Sequence, residues 1–287
     1  MSCSMPSKPE PTKALPSQPG ILGELQILAK MVWDPQPVPH TNPQSTRESW
    51  LLLTLLAAML TWVHYTARMN GPMVLEWVAR SLGCSSGSAS ILSMSGEDWR
   101  LLDLLWWASV TIIGYLGLPL IWLLVSGLSI PENMGWRVGK TKNHLSIYAG
   151  FALIMVLVLS WTIRQTEFLN RYPFYRIPEG VSLWPRFYLW EAFYLVQFIA
   201  LESLFRGFLL YRLSRTVGSL AVPIAMVPYC MIHWGKPTPE AFAAILAGLG
   251  LGLMSLRTGS IWPGAILHMA VALTMDLASL YQQGRLF

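Results

Sequence analysis

The sequence predicts an all-α fold that crosses a bilayer several times, and two observations carry that prediction. Hydrophobic residues make up 53% of the 287 positions and charged residues only 12%, about half the charge of an ordinary soluble domain. One core of this size could not hide so much apolar surface from water. The apolar residues also gather in runs of about twenty, the length a helix needs to cross the hydrocarbon core, without the two-residue alternation of a barrel strand. The net charge of +5 suits basic loops beside anionic headgroups better than a nucleic-acid footprint. A lipid bilayer is therefore an expected partner and nucleic acid is not. Cys3, Cys84 and Cys230 have no paired or metal-like spacing, so no disulfide framework is implied.

Residues 1–20 are rich in proline and lysine and are expected to be a disordered tail. The start lacks the apolar region of a cleaved signal peptide, so insertion is expected to rest on the first transmembrane helix. In residues 21–33, Ile21, Leu25, Leu28 and Val32 share one helical stripe. This segment is too short to span. It reads as an interfacial amphipathic helix or, equally, as a helix packed on the protein's own loops, with a linker to 49.

About seven spans follow, the earlier ones within 50–184 and the later ones within a core at 185–282, ahead of a short tail at 283–287. The first is 50–67. Residues 71–100 read as a polar loop with the cluster CSSGSAS. The second lies near 102–128, with Trp106 and Trp107 placed like an aromatic belt, and the third at 145–163. The fourth runs from Pro185 to about Tyr211 and the fifth from 216 to 233. The sixth opens at Thr238-Pro239-Glu240, a cap followed by a first-turn proline. The seventh covers 260–281. Gly248, Gly250 and Gly252 predict close approach of the sixth helix to its neighbours.

Ionisable residues inside spans need a reason. Glu191, Glu202, Arg206, His233, His268 and Asp276 all fall in the C-terminal half. Glu202 and Arg206 are four apart and can pair on one helix face. Two histidines and a glutamate can activate water, bind a metal or relay protons. Glu191 is expected at the interface. Asp276 either supports a histidine or sits at the headgroups.

Three segments, FIALESLFRGFLLYRLSR (198–215), YCMIHWGKP (229–237) and LRTGSIWPGAILHMAVALTMD (256–276), resemble the motifs of the CPBP family, the CAAX prenyl endopeptidases and bacteriocin-processing proteins. The resemblance covers roughly 185–282. It implies helices around a polar intramembrane cavity and an endopeptidase of glutamic type, acting on a membrane-associated protein or peptide. The catalytic residues it implies are Glu202, His233 and His268, with Arg206 and Asp276 supporting. Glu202 and His233 would activate a water, and His268, with Asp276, would stabilise the oxyanion. No cofactor is required, although a divalent metal on Glu202, His233 and His268 stays open. Leu201 stands where the family has its first glutamate, Tyr229 replaces a phenylalanine and Ala272 an asparagine or aspartate. The alternative is accordingly a catalytically degenerate membrane scaffold or chaperone. The expected location is a multi-pass position in a bacterial inner membrane.

Overall fold

The computed structural model describes residues 20–33, 43–84, 87, 91 and 93–285. The expected disordered tail at 1–20 lies outside the described residues except for Gly20, as does part of the Ser/Gly cluster. Among the described residues the regular structure is entirely helical. The main helices are α1 (Ile21–Trp33), α2 (Pro43–Thr66), α3 (Gly71–Ser81), α4 (Gly96–Val125), α5 (Leu145–Thr162), α6 (Arg186–Glu202), α7 (Leu210–Val217), α8 (Ala221–Met231), α9 (Thr238–Thr258) and α10 (Trp262–Gln282).

Six helical segments among the described residues are long and apolar enough to cross a membrane, so the chain is a polytopic membrane protein. This lies within the expected count of about seven, and the difference from seven lies in the fourth and fifth spans. Both fall in one continuous run, Arg186–Met231. It turns at Gly218, whose φ of 59° favours glycine. Its second limb, α8, has 11 residues and reaches about 16 Å, roughly half of the hydrocarbon thickness.

α6 packs between α4 and α10, while α8 lies along α9. The glycine argument holds in detail. A Cβ on Gly248 or Gly252 would meet Met226 at 2.7 Å or Val222 at 3.0 Å, and one on Gly250 would meet Phe151 at 2.9 Å. Hydrophobic association is weak between helices already in lipid, so close packing of this kind is what joins them.

Two loop readings are corrected. Residues 71–81 are not part of a polar loop but form α3. Asn70 caps the helix by accepting from the Met73 N–H at 3.1 Å, and Pro72 sits in its first turn. Met73, Trp77 and Leu82 are turned outward, and the Gly71 N–H donates to Asp103 on α4. Trp107 is likewise no belt residue. Its ring stacks on Phe174 and lies against Trp190 and Tyr194, an aromatic cluster between α4 and α6.

α1 resolves into both of its readings. Ile21, Leu22, Leu25 and Trp33 face outward, while Leu28 packs on the cluster of Ile147, Tyr148, Leu251 and Met254. Glu24 is buried against Arg257 at the end of α9 and His144 before α5, at 3.3 and 3.2 Å. Burial by itself would raise the Glu24 pKa, yet Arg257 and His144 together hold it below the ordinary carboxylate value.

Candidate active site

The motif segment begins where α6 ends. From Ser203 to Leu209 the chain winds as a π-helix before resuming as α7. Such inserted turns are rare and recur at functional sites. The loop after α4 packs on this stretch. Trp136 donates its indole N–H to Ser203 Oγ at 2.7 Å, Arg215 donates to Asn133, and Gly207 lies against the Met134 carbonyl so closely that a Cβ would stand 2.2 Å from its oxygen. Gly207 therefore permits a backbone contact that no other residue could make.

Glu202, at the last α-helical position, is fully buried. Its Oε1 accepts from Arg206 Nη1 at 2.9 Å and lies 3.0 Å from His268 Nδ1. Because a carboxylate only accepts, the bond to His268 places a proton on Nδ1 and leaves Nε2 as the free ring nitrogen. The Arg206 guanidinium lies over the Tyr229 ring, 3.7 Å from its centroid. Its Nη2 has no protein partner, but Arg206 borders a void of about 10 Å³, near the least that holds one water.

His233 packs on Tyr229, with ring centroids 4.6 Å apart. Its Nδ1 is 2.8 Å from the Tyr229 carbonyl oxygen. That oxygen can only accept, so Nδ1 carries the proton and Nε2 is again free. His268 packs on Phe198 at 4.4 Å and lies 6.4 Å from Tyr229. Tyr229 thus neighbours both histidines.

A cavity of about 780 Å³ opens beside this group. Its lining includes His233, Phe198, Leu201 and Gln197, with His64, Arg68 and Lys236 also at its wall. Neither Glu202 nor His268 lines it. The rotation of about 100° between neighbouring helix positions explains this: Leu201 faces the cavity with His233, and Glu202 faces His268 instead.

The structure therefore brings Glu202, Arg206 and His268 together and places His233 beside Tyr229. Of the two histidines, the one bonded to Glu202 is His268. Asp276 is not a partner of His268, since it lies eight residues farther along α10, about 12 Å away along the axis. Its Oδ1 accepts from the Phe174 N–H at 3.0 Å, and Glu191 and Trp190 are further neighbours. Glu191, expected at the interface, is buried within the protein. Among the described residues no three His, Cys, Asp or Glu side chains converge as a metal would require.

Three features escaped the sequence reading. The π-helix left no composition signal. Gln197 did leave one, as a polar residue four positions before Leu201 on the same helix face. The docking of the α4 loop was signalled only by Gly207.

Residues 183–274 match the family model described as type II CAAX prenyl endopeptidase Rce1-like. This match supports the resemblance of the segment to the CPBP family. The segment contains Glu202, Arg206, His233 and His268, and the family is one of proteases. No curated protein and no solved structure matches the chain.

Proposed function

We propose that this chain is an intramembrane endopeptidase that hydrolyses a peptide bond of a membrane-associated protein or peptide with a water activated by histidine and glutamate. The observation that carries the reading is the buried Glu202 carboxylate, fixed by Arg206 and bonded to His268 Nδ1. A carboxylate that orients an imidazole and stabilises its protonated form is the arrangement that makes histidine an effective base. In this proposal the substrate reaches past the cavity wall to His268, whose Nε2 removes one proton as the water oxygen attacks the carbonyl carbon. His233 Nε2 accepts the second hydrogen and so positions the water. The His268 imidazolium then gives its proton to the leaving amine as the C–N bond breaks. Glu202, expected from the motif to be the base, becomes the residue that orients the base. In this reading the membrane is a bacterial inner membrane, a location that fractionation checks.

The test is cleavage of a prenylated CAAX-type peptide by the full chain in lipid vesicles, the probe suggested by the family's name. Glu202→Gln keeps the shape and removes the charge. It is expected to lower the rate by at least about a hundredfold while the protein still accumulates. An unchanged rate would remove the mechanism. One observation favours a second reading, that of a degenerate scaffold. Leu201, where the family carries its first glutamate, lines the cavity with His233. An inactive wild type that gains cleavage on Leu201→Glu would establish that reading instead.

A further inference from the structure

Gln197 lies one helical turn before Leu201, and both line the cavity with His233. It is only 7% exposed, and its Oε1 has no hydrogen-bond partner. Its neighbours do not explain it, since the adjoining cavity wall is formed by Tyr194, Phe198 and Leu201. A buried amide oxygen without a donor is costly. His233 adds a second acceptor at the same wall, because Nδ1 is committed to the Tyr229 carbonyl and Nε2 is left as an acceptor. No aspartate or glutamate lines the cavity.

These acceptors define the chemistry of what fits. A phosphate or carboxylate headgroup brings acceptors only and would leave Gln197 Oε1 unmet. An extended peptide brings N–H and C=O groups at a fixed spacing, and its side chains suit the apolar wall. Whichever way the Gln197 amide is turned, one of its atoms meets a ligand group of the opposite hydrogen-bonding sense, and a peptide backbone carries both.

We propose that Gln197 and His233 form the polar end of a peptide-binding site in this cavity, in which the Gln197 side chain pairs with one backbone amide of the bound segment. The Oε1 atom accepts the segment's N–H and the side-chain NH2 donates to a neighbouring carbonyl. This assignment rests on the endopeptidase reading and specifies how its substrate backbone is held. Gln197 is a binding and positioning residue, since nothing in the proposed chemistry passes through it.

The experiment measures equilibrium binding of a fluorescent, S-farnesylated CAAX-type peptide to the full chain in nanodiscs. A companion set of peptides is N-methylated at one backbone amide at a time. Wild type is expected to lose about tenfold in affinity at one methylation position, the effect of one hydrogen bond. Gln197→Leu should bind the parent peptide about tenfold more weakly and respond less than about twofold to that same methylation. Gln197→Glu keeps an acceptor oxygen and should keep the sensitivity, which also serves if the leucine variant does not fold. Binding that is indifferent to every methylation, wild-type affinity in Gln197→Leu, or no binding of the parent peptide would each overturn the assignment. Cleavage of the same peptide is read separately. Binding without cleavage removes the endopeptidase reading and leaves the Gln197 site standing. Cleavage with an indifferent Gln197→Leu does the reverse.

Discussion

Replacing Arg206 by alanine should unfold the site before it affects any chemistry. Glu202 and Arg206 are buried to 0% and 3% side-chain exposure and bonded at 2.9 Å. Deleting one partner of such a pair leaves a charge in a medium that cannot solvate it, at a cost of about 3–5 kcal/mol. The lost contact with Tyr229, 3.7 Å from the ring centroid, would be worth about 2 kcal/mol when desolvated. It belongs to the same side chain, so the two losses overlap and do not simply add. For a chain of this size about 3–5 kcal/mol corresponds to a fall in Tm of roughly 6–20 °C. Differential scanning fluorimetry of the purified variant reads this directly. A double variant, Arg206→Met with Glu202→Gln, removes both charges but keeps an acceptor for His268, and it should recover most of the lost stability. A single variant that melts within about 2 °C of wild type would refute the buried-pair argument.

Two further outcomes follow from contacts outside the ion pair. Gly207→Ala would put a Cβ 2.2 Å from the Met134 carbonyl oxygen, pushing the loop away and weakening the Trp136–Ser203 bond. A loss of at least about 1–3 kcal/mol, read as a lower Tm, is expected, and unchanged melting would show that the loop yields freely. Glu24 supplies a pH dependence. Its folded pKa lies below the ordinary value, so its contribution is present above the unfolded carboxylate pKa and is lost as pH falls through the lower, folded value. A spin label on Lys30→Cys should therefore gain mobility as α1 loosens once the pH falls below the ordinary glutamate value of 4.5, and a spectrum constant through an acid titration would contradict the anchoring role.

The sequence by itself determined that this is a helical membrane protein, because run length and composition decide whether a segment can sit in lipid at all. It also singled out Glu202, Arg206, His233 and His268, because charge in a span is expensive enough to stand out. The Glu202–Arg206 pair was legible for a local reason, the four-residue spacing on one helix. What required the tertiary structure were relations across helices. Glu202 meets His268 because a single residue step turns the side chain by about 100°, and only the packing of α6 against α10 and of the π-helix against α8 decides which histidine each face meets. The contacts of Glu191 and Asp276 were not legible in sequence, because hydropathy counts the length of a run and not the neighbours of each position. The seventh span dissolved for a related reason. Residues 216–233 are apolar enough to span, but Gly218 turns the chain back, and α8 lies against protein on one side and is too short to cross alone. Gln197 was visible only as one polar residue in an apolar run. Its meaning came from the cavity it faces, and a cavity is formed by several helices together.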